Sequence, residues 1–159
     1  ELTVVQRRRY ITPAGHDELQ AELEHLIAVR RPDVAGRIHE ATEAGGTADN
    51  AEYDEVKNDQ AFIEGRIQDL EEILANAVIA EKDENAKDSV QFGSAVTVSG
   101  KGNKRQVYHL VGSAEANPLE GKISNESPVG RALLDHKVGD QVEVKTPAGV
   151  TTLKITKIA

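Results

Sequence analysis

Six carboxylates, Glu40, Glu43, Asp49, Glu52, Asp54 and Glu55, gather around the pair Gly45-Gly46. Hard oxygen ligands of this kind suit Mg²⁺, which takes one or two carboxylates and fills its remaining positions with water or phosphate oxygens. Any of the six, Glu43, Asp49 and Glu52 among them, could supply such a ligand. An exposed acidic tip holds an ion weakly by itself, but it becomes useful inside a site that already contains a metal and a phosphodiester, where it can orient a water. The same residues also have a structural use. Asp49 and Glu52 are spaced as an N-cap and its N3 partner, and acids at a helix start are favoured by the dipole. Spacing alone favours that second role.

The segments on either side must position this tip. Thr12 before Pro13 predicts a helix start. From there Leu19, Leu23, Leu26, Arg30, Val34, Ile38 and Ala41 recur at three- and four-residue steps and define one helical face. Pro32 lies inside this run and predicts a kink or brief break near Arg31. Beyond the glycines Val56, Ile63, Ile67, Leu70, Leu74 and Ala77 form a seam of coiled-coil type, which Phe62, Ile73 and Val78 are expected to widen. Two such stripes joined by a short polar break bury their faces against each other, giving an antiparallel coiled-coil hairpin over residues 1–79 with its tip loop near 43–50.

After residue 79 the apolar period falls to two. Ala95 to Val98 and Val107 to Val111 flank Gly100-Lys101-Gly102-Asn103 and predict a hairpin; Val142 to Val144 and Thr152 to Thr156 predict a second. Ser127 before Pro128 predicts a short helix to Leu134. The fold class is therefore α+β: the hairpin, a charged linker at 80–88 and a small, mostly antiparallel β domain with one helix at 89–159.

Charge narrows the function. Residues 1–79 hold 8 Lys or Arg against 17 Asp or Glu, a net −9, whereas residues 80–159 hold 11 against 10. Phosphate backbones are bound mainly by Lys and Arg, and base stacking needs aromatics, of which there are three Tyr and two Phe. Autonomous nucleic-acid binding is not expected, although Arg7-Arg8-Arg9 could serve as a phosphate-seeking arm or, more simply, as a solvated terminus. With no cysteine, disulfides and thiolate metal sites are excluded. No run of about 18 apolar residues or signal-peptide pattern is present, and the expected location is the cytoplasm. His16, His25, His39, His109 and His136 show no metal-ligand spacing, and Gly100 to Arg105 lacks the context of a phosphate loop.

Three stretches carry a resemblance: Val29-Arg30-Arg31-Pro32-Asp33, Asn50-Ala51-Glu52-Tyr53 and Gln60 to Ile67 resemble the N-terminal coiled coil of bacterial Gre transcript cleavage factors. Ser113 to Asn117, Ile123-Ser124, Ser127 to Leu134 and Val144 to Pro147 resemble their second domain. The resemblance implies a prolyl-isomerase-like fold without isomerase activity that docks on RNA polymerase, and a coiled coil that enters the secondary channel. The factor would be an accessory protein, since the polymerase hydrolyses its own backtracked RNA. No intrinsic cofactor is implied; Mg²⁺ is shared with the polymerase, the nascent RNA 3′ end is met only inside the complex, no membrane is involved, and the factor is a monomer.

The resemblance also assigns residues. Ser124, Asn125, Glu126, Ser127, Pro128 and Arg131 are implied in docking. Gly45, Gly46, Asn50 and Tyr53 belong to the tip, and Lys57 keeps one basic position towards RNA, while Thr42 stands where Arg is usual. In active members two tip acids position the second metal and the attacking water. Here the first falls on Gly46 and the second on Asp49, one methylene shorter than glutamate. Weakened cleavage, or a cleavage-inactive homologue that inhibits or tunes transcription, is the expected outcome. A coiled-coil chaperone or interaction module is the alternative from a different class.

Overall fold

The computed structural model describes residues 9–46 and 50–159, which form two compact units. The first comprises residues 16–76 and is helical. Helix α1 (Pro13–His25) starts at the N-cap Thr12, whose Oγ1 accepts from the Gly15 N–H at 3.0 Å. A π-helical turn (Leu26–Arg30) separates it from α2 (Arg31–Gly45), and the Arg31 N–H donates to the Leu26 carbonyl five residues back. The break expected from Pro32 is therefore present as a widened turn just before it. Proline supplies no N–H, and its ring would clash with the carbonyl four residues earlier.

Helix α3 (Ala51–Asn76) runs back along α2, with Leu19, Leu23, Val34 and Ala41 buried on one side and Val56, Ile63, Ile67 and Leu70 on the other. Arg30, assigned to the first stripe, is exposed. Phe62 does not widen the second: at 76% exposure it points to water, because its position lies outside the arc that two slim aliphatic stripes can close over. Ala77 and Val78 are not part of the seam at all, since the helix stops at Asn76 and they enter a strand.

Bidentate ion pairs cross the helices. Arg66 binds Glu22 at 2.7 and 2.9 Å, and Arg31 binds Glu64 at the same distances. The hydrogen bonds from Arg66 hold the Glu22 carboxyl below its usual range, against the opposing effect of burial and with the guanidinium charge adding to the pull. A depressed carboxylate pKa means stability that is present above the unfolded value and is lost as pH falls through the folded one. With side chains 40% and 35% exposed, the pair is worth about 0.5–1 kcal/mol. Glu22→Gln should thus lower hairpin stability by that amount at neutral pH and change nothing once the carboxylate is protonated. Urea titrations followed by helical circular dichroism at the two pH values check this; an equal loss at both would refute the ion-pair origin.

The second unit contains residues 9–15 together with Ala77–Ala159. Strand β1 (Arg9–Ile11) pairs in parallel with β2 (Ala77–Ile79). A clasp holds this element: the Glu115 carboxylate accepts from the N–H groups of Thr12 and Gly112 at 3.0 Å each and from the Thr12 hydroxyl. Residues 80–88, expected as a charged linker, are hydrogen-bonded along their length. The Ala80 N–H donates to Ile11, a 3₁₀ turn (Glu84–Ala86) is capped by Asp83, and Gln91 bonds both backbone groups of Asp83. Charge without periodicity reads as linker, yet these polar contacts fix the segment.

The main sheet has the order β5-β4-β3-β7-β6, with β3 (Ala95–Ser99), β4 (Arg105–Val111), β5 (Lys122–Ser124), β6 (Gln141–Thr146) and β7 (Gly149–Ile158). Both expected hairpins form, and β5 adds a parallel pair beside β4. Val96, Val98, Leu110, Ile123, Val142 and Ile155 point to one face, where Leu133 of α4 (Pro128–Leu133) completes the core. Among the described residues, no helix is long and apolar enough to cross a membrane.

Candidate functional site: the helical tip and the loop before helix α4

The tip is built by a single asparagine. Helix α2 ends where the Gly46 N–H donates to the Thr42 carbonyl at 3.0 Å. Asn50 Nδ2 donates to the carbonyls of Ala41 at 3.0 Å and Gly46 at 2.9 Å, while its Oδ1 accepts from the Tyr53 N–H at 3.1 Å. One side chain therefore caps α3 and bridges to the end of α2. The N-cap is Asn50, not Asp49 as the sequence spacing suggested; Asn and Asp cap equally well, and only Asn brings a donor for the two carbonyls. Asp49 lies outside the described residues, as do Arg7 and Arg8.

Gly46 adopts φ 68 and ψ −164, a region open essentially to glycine alone. Gly45 sits close to the clamp, where a Cβ would meet Asn50 Nδ2 at 3.3 Å. Glu43 lies beside His39, with Oε1 3.2 Å from Nε2, and Glu52 is exposed in the first turn of α3. Tyr53 is half-buried, and the exposed Lys57 donates to Gln60 at 2.9 Å.

The other candidate surface is a turn held by its own hydrogen bonds and by bonds to the end of β4 and the residues just after it. After β5, the Ser127 hydroxyl donates to the Ser124 carbonyl at 2.6 Å and accepts from the Gly130 N–H at 3.1 Å. The Asn125 N–H donates to Val111, and the Ser124 hydroxyl accepts from the Glu126 N–H at 3.1 Å and lies 3.0 Å from that of Ser113. This leaves Glu126, Pro128 and Arg131 exposed on a rigid frame. The expected capping role of Ser127 is present, and the structure brings all six residues of the implied docking set to one turn.

Residues 9–79 match the family described as transcription elongation factor, N-terminal, and residues 85–159 match transcription elongation factor, GreA/GreB, C-term. The chain belongs to the GreA/GreB family of transcription elongation factors. Transcription elongation factor GreA of Thermoanaerobacter pseudethanolicus is 48% identical over 149 residues, 93% of this chain and 95% of the relative. That of Chloroflexus aggregans is 43% identical over 156 residues, 98% of this chain and 99% of the relative. Among solved structures, the GreA factor homolog 1 protein of Thermus thermophilus is 34% identical, with a TM-score of 0.45 and coverage of 96% of this chain and 99% of that one.

As a GreA/GreB family member the chain is an accessory factor in transcription and not itself an enzyme. Among its described residues no group of three or more His, Asp or Glu side chains could hold a metal ion. At the tip the Glu43 carboxylate is turned to His39. What sequence reasoning missed is the bridging part of Asn50. The signal was available in principle, because an asparagine just before a helix and just after two glycines can cap with its oxygen and clamp with its nitrogen.

Proposed function

We propose that this Gre factor binds bacterial RNA polymerase through the turn from Ser124 to Pro128 and Arg131, and presents its helical tip to the polymerase active site through the secondary channel. There it acts in the cytoplasm as a monomer on backtracked complexes, and it meets the RNA 3′ end only within that assembly. The Mg²⁺ belongs to the polymerase. This chain offers Asp49 as its tip carboxylate, with Lys57 as the basic residue nearest the RNA.

The observation that carries the reading is Gly46. At the position where the family resemblance places the first tip acid, this chain has no side chain and a backbone conformation that disfavours one. A water positioned by one short carboxylate is held less well than one held by two, and a displacement near 1 Å can cost about a hundredfold in rate. Weak cleavage is the result, and the same feature favours a second reading in which the tip occupies the channel and tunes transcription without cleaving.

Backtracked elongation complexes incubated with the protein and Mg²⁺, with release of RNA 3′ fragments followed over time, test this. Release about a hundredfold slower than with a GreA bearing both acids is expected. Asp49→Asn should abolish what remains. Release at the full GreA rate, unaffected by Asp49→Asn, would show that the tip works by other groups.

A further inference from the structure

The chain passes between its two units twice, at residues 15–16 and 76–77. At the second passage α3 runs directly into β2, which is paired with β1. The first passage is the opening turn of α1, where the Glu115 carboxylate arrives from the loop after β4. Its Oε2 accepts from the N–H groups of Thr12 and Gly112 at 3.0 Å each, its Oε1 accepts from the Thr12 hydroxyl, and that hydroxyl accepts in turn from the Gly15 N–H. Two buried glycines clear the path: a Cβ on Gly15 would overlap the carboxylate, and one on Gly112 would overlap the Tyr10 carbonyl oxygen. Capping does not require this arrangement. Thr12 caps α1 through its own hydroxyl, so the Glu115 bonds tie the helix start to the loop after β4 beyond what the helix itself needs.

The length of the helical arm magnifies any looseness at this point. Helix α3 has 26 residues and is about 39 Å long. On a lever of that length a tilt of about 1.5° at the root carries the far end about 1 Å. A misplacement of about 1 Å can cost about a hundredfold in rate, even when the change responsible lies far from the chemistry. A bare backbone passage leaves rotation about φ and ψ open, and a side chain bonded across the first turn of α1 removes it. The bonds at Glu115 are therefore placed where small motions have their largest effect on the tip.

We propose that Glu115 is a positioning residue for the tip: by holding the first turn of α1 it fixes the direction in which the helical arm leaves the sheet unit. The consequence for RNA cleavage rests on the functional reading above. Reach decides the effect and charge does not. Glu115→Gln keeps an acceptor for the two N–H groups and a donor for the Thr12 hydroxyl oxygen, whereas Glu115→Asp keeps the charge and falls one methylene short. Glu115→Ala removes the tie. Gly15→Ala expels the carboxylate while leaving Glu115 in the chain, and its gain in helix propensity keeps the test open if Glu115→Ala fails to fold. Because the sequence has no cysteine, Asn58→Cys and Thr152→Cys take spin labels at those two exposed positions alone. The label-to-label distance distribution should be narrow with the native clasp and with Glu115→Gln, and broadened by Glu115→Asp, Glu115→Ala and Gly15→Ala. In cleavage assays at saturating factor these last three should be slower by about tenfold or more, Glu115→Gln should match the wild type, and the half-saturating concentration should hold throughout.

Distributions as narrow in Glu115→Ala and Gly15→Ala as in the wild type overturn the proposal, and so does a wild-type distribution as broad as theirs. Broadening with no loss of cleavage overturns the link between the clasp and the reaction. A wild type that promotes no cleavage overturns the cleavage reading above, and the distances then still decide whether Glu115 holds the arm.

Discussion

Gly130→Ala is expected to lower the stability of the sheet unit by about 1–3 kcal/mol, the usual cost of forcing extra volume into a packed site. A Cβ at this position would stand 2.1 Å from the Ser124 carbonyl oxygen and 3.1 Å from the Asn125 Cα. Both are backbone atoms, so no rotamer change can make room. Either α4 lifts from the core that Leu133 anchors, or the Ser124 turn is pushed outward. The two responses share a consequence, since the Ser127 cap and the exposed set Glu126, Pro128 and Arg131 are held by the same bonds. Thermal unfolding should shift down by about 4–8 °C for each kcal/mol lost, and polymerase affinity should fall with it. Arg131→Glu supplies the contrast. It is exposed and takes part in the frame only through its backbone, so it should weaken polymerase binding and leave the melting temperature in place. Unchanged stability of Gly130→Ala would mean that the turn is far softer than its bonding implies.

Gly46→Asp restores the missing carboxylate by residue type, yet it should cost about 1–3 kcal/mol of hairpin stability. Space is not the obstacle, because nothing lies within 4 Å of a Cβ there. The obstacle is the torsion pair φ 68, ψ −164, which the clamp from Asn50 to the Gly46 carbonyl helps to hold. An aspartate can relax out of that conformation only by giving up the clamp. The two sites are therefore coupled. The penalty of Gly46→Asp should be smaller in an Asn50→Ala background than in the wild type, and the double-mutant cycle measured by urea unfolding gives the difference directly. Cleavage should rise less in the single variant than a second acid alone would provide. Additive effects on stability would show that Asn50 does not enforce the conformation of Gly46.

Much of this fold was legible from periodicity. The long helical stripes, the two hairpins and the Ser127 cap each rest on a local signal, which neighbouring residues supply regardless of the rest of the chain. The misses share the opposite property. Strands β1, β2 and β5 have three residues each and pair in parallel, β1 with β2 across 68 residues and β5 with β4 across 13, so neither a tight turn nor a usable alternation announces them. Phe62 is apolar and close to the seam by count, and only the width of the facing helix shows that it stays outside. At the tip the composition pointed to a group of acids. The structure shifts the emphasis to Asn50, whose three hydrogen bonds involve backbone atoms that no sequence pattern displays.

The Glu115 clasp also sets an order in time. Its two sides, Thr12 and Glu115, are 103 residues apart. A ribosome adding about 5–20 residues per second takes about 5–20 s to travel that far, ample for a helical hairpin to form in the meantime. The contacts that hold residues 16–76 are complete as soon as Asn76 has emerged, and β1 can pair with β2 once Ile79 and Ala80 follow, whereas the clasp on Thr12 must wait for Gly112 and Glu115. During synthesis the helical hairpin and the β1-β2 pair can thus form before the Glu115 carboxylate closes on Thr12.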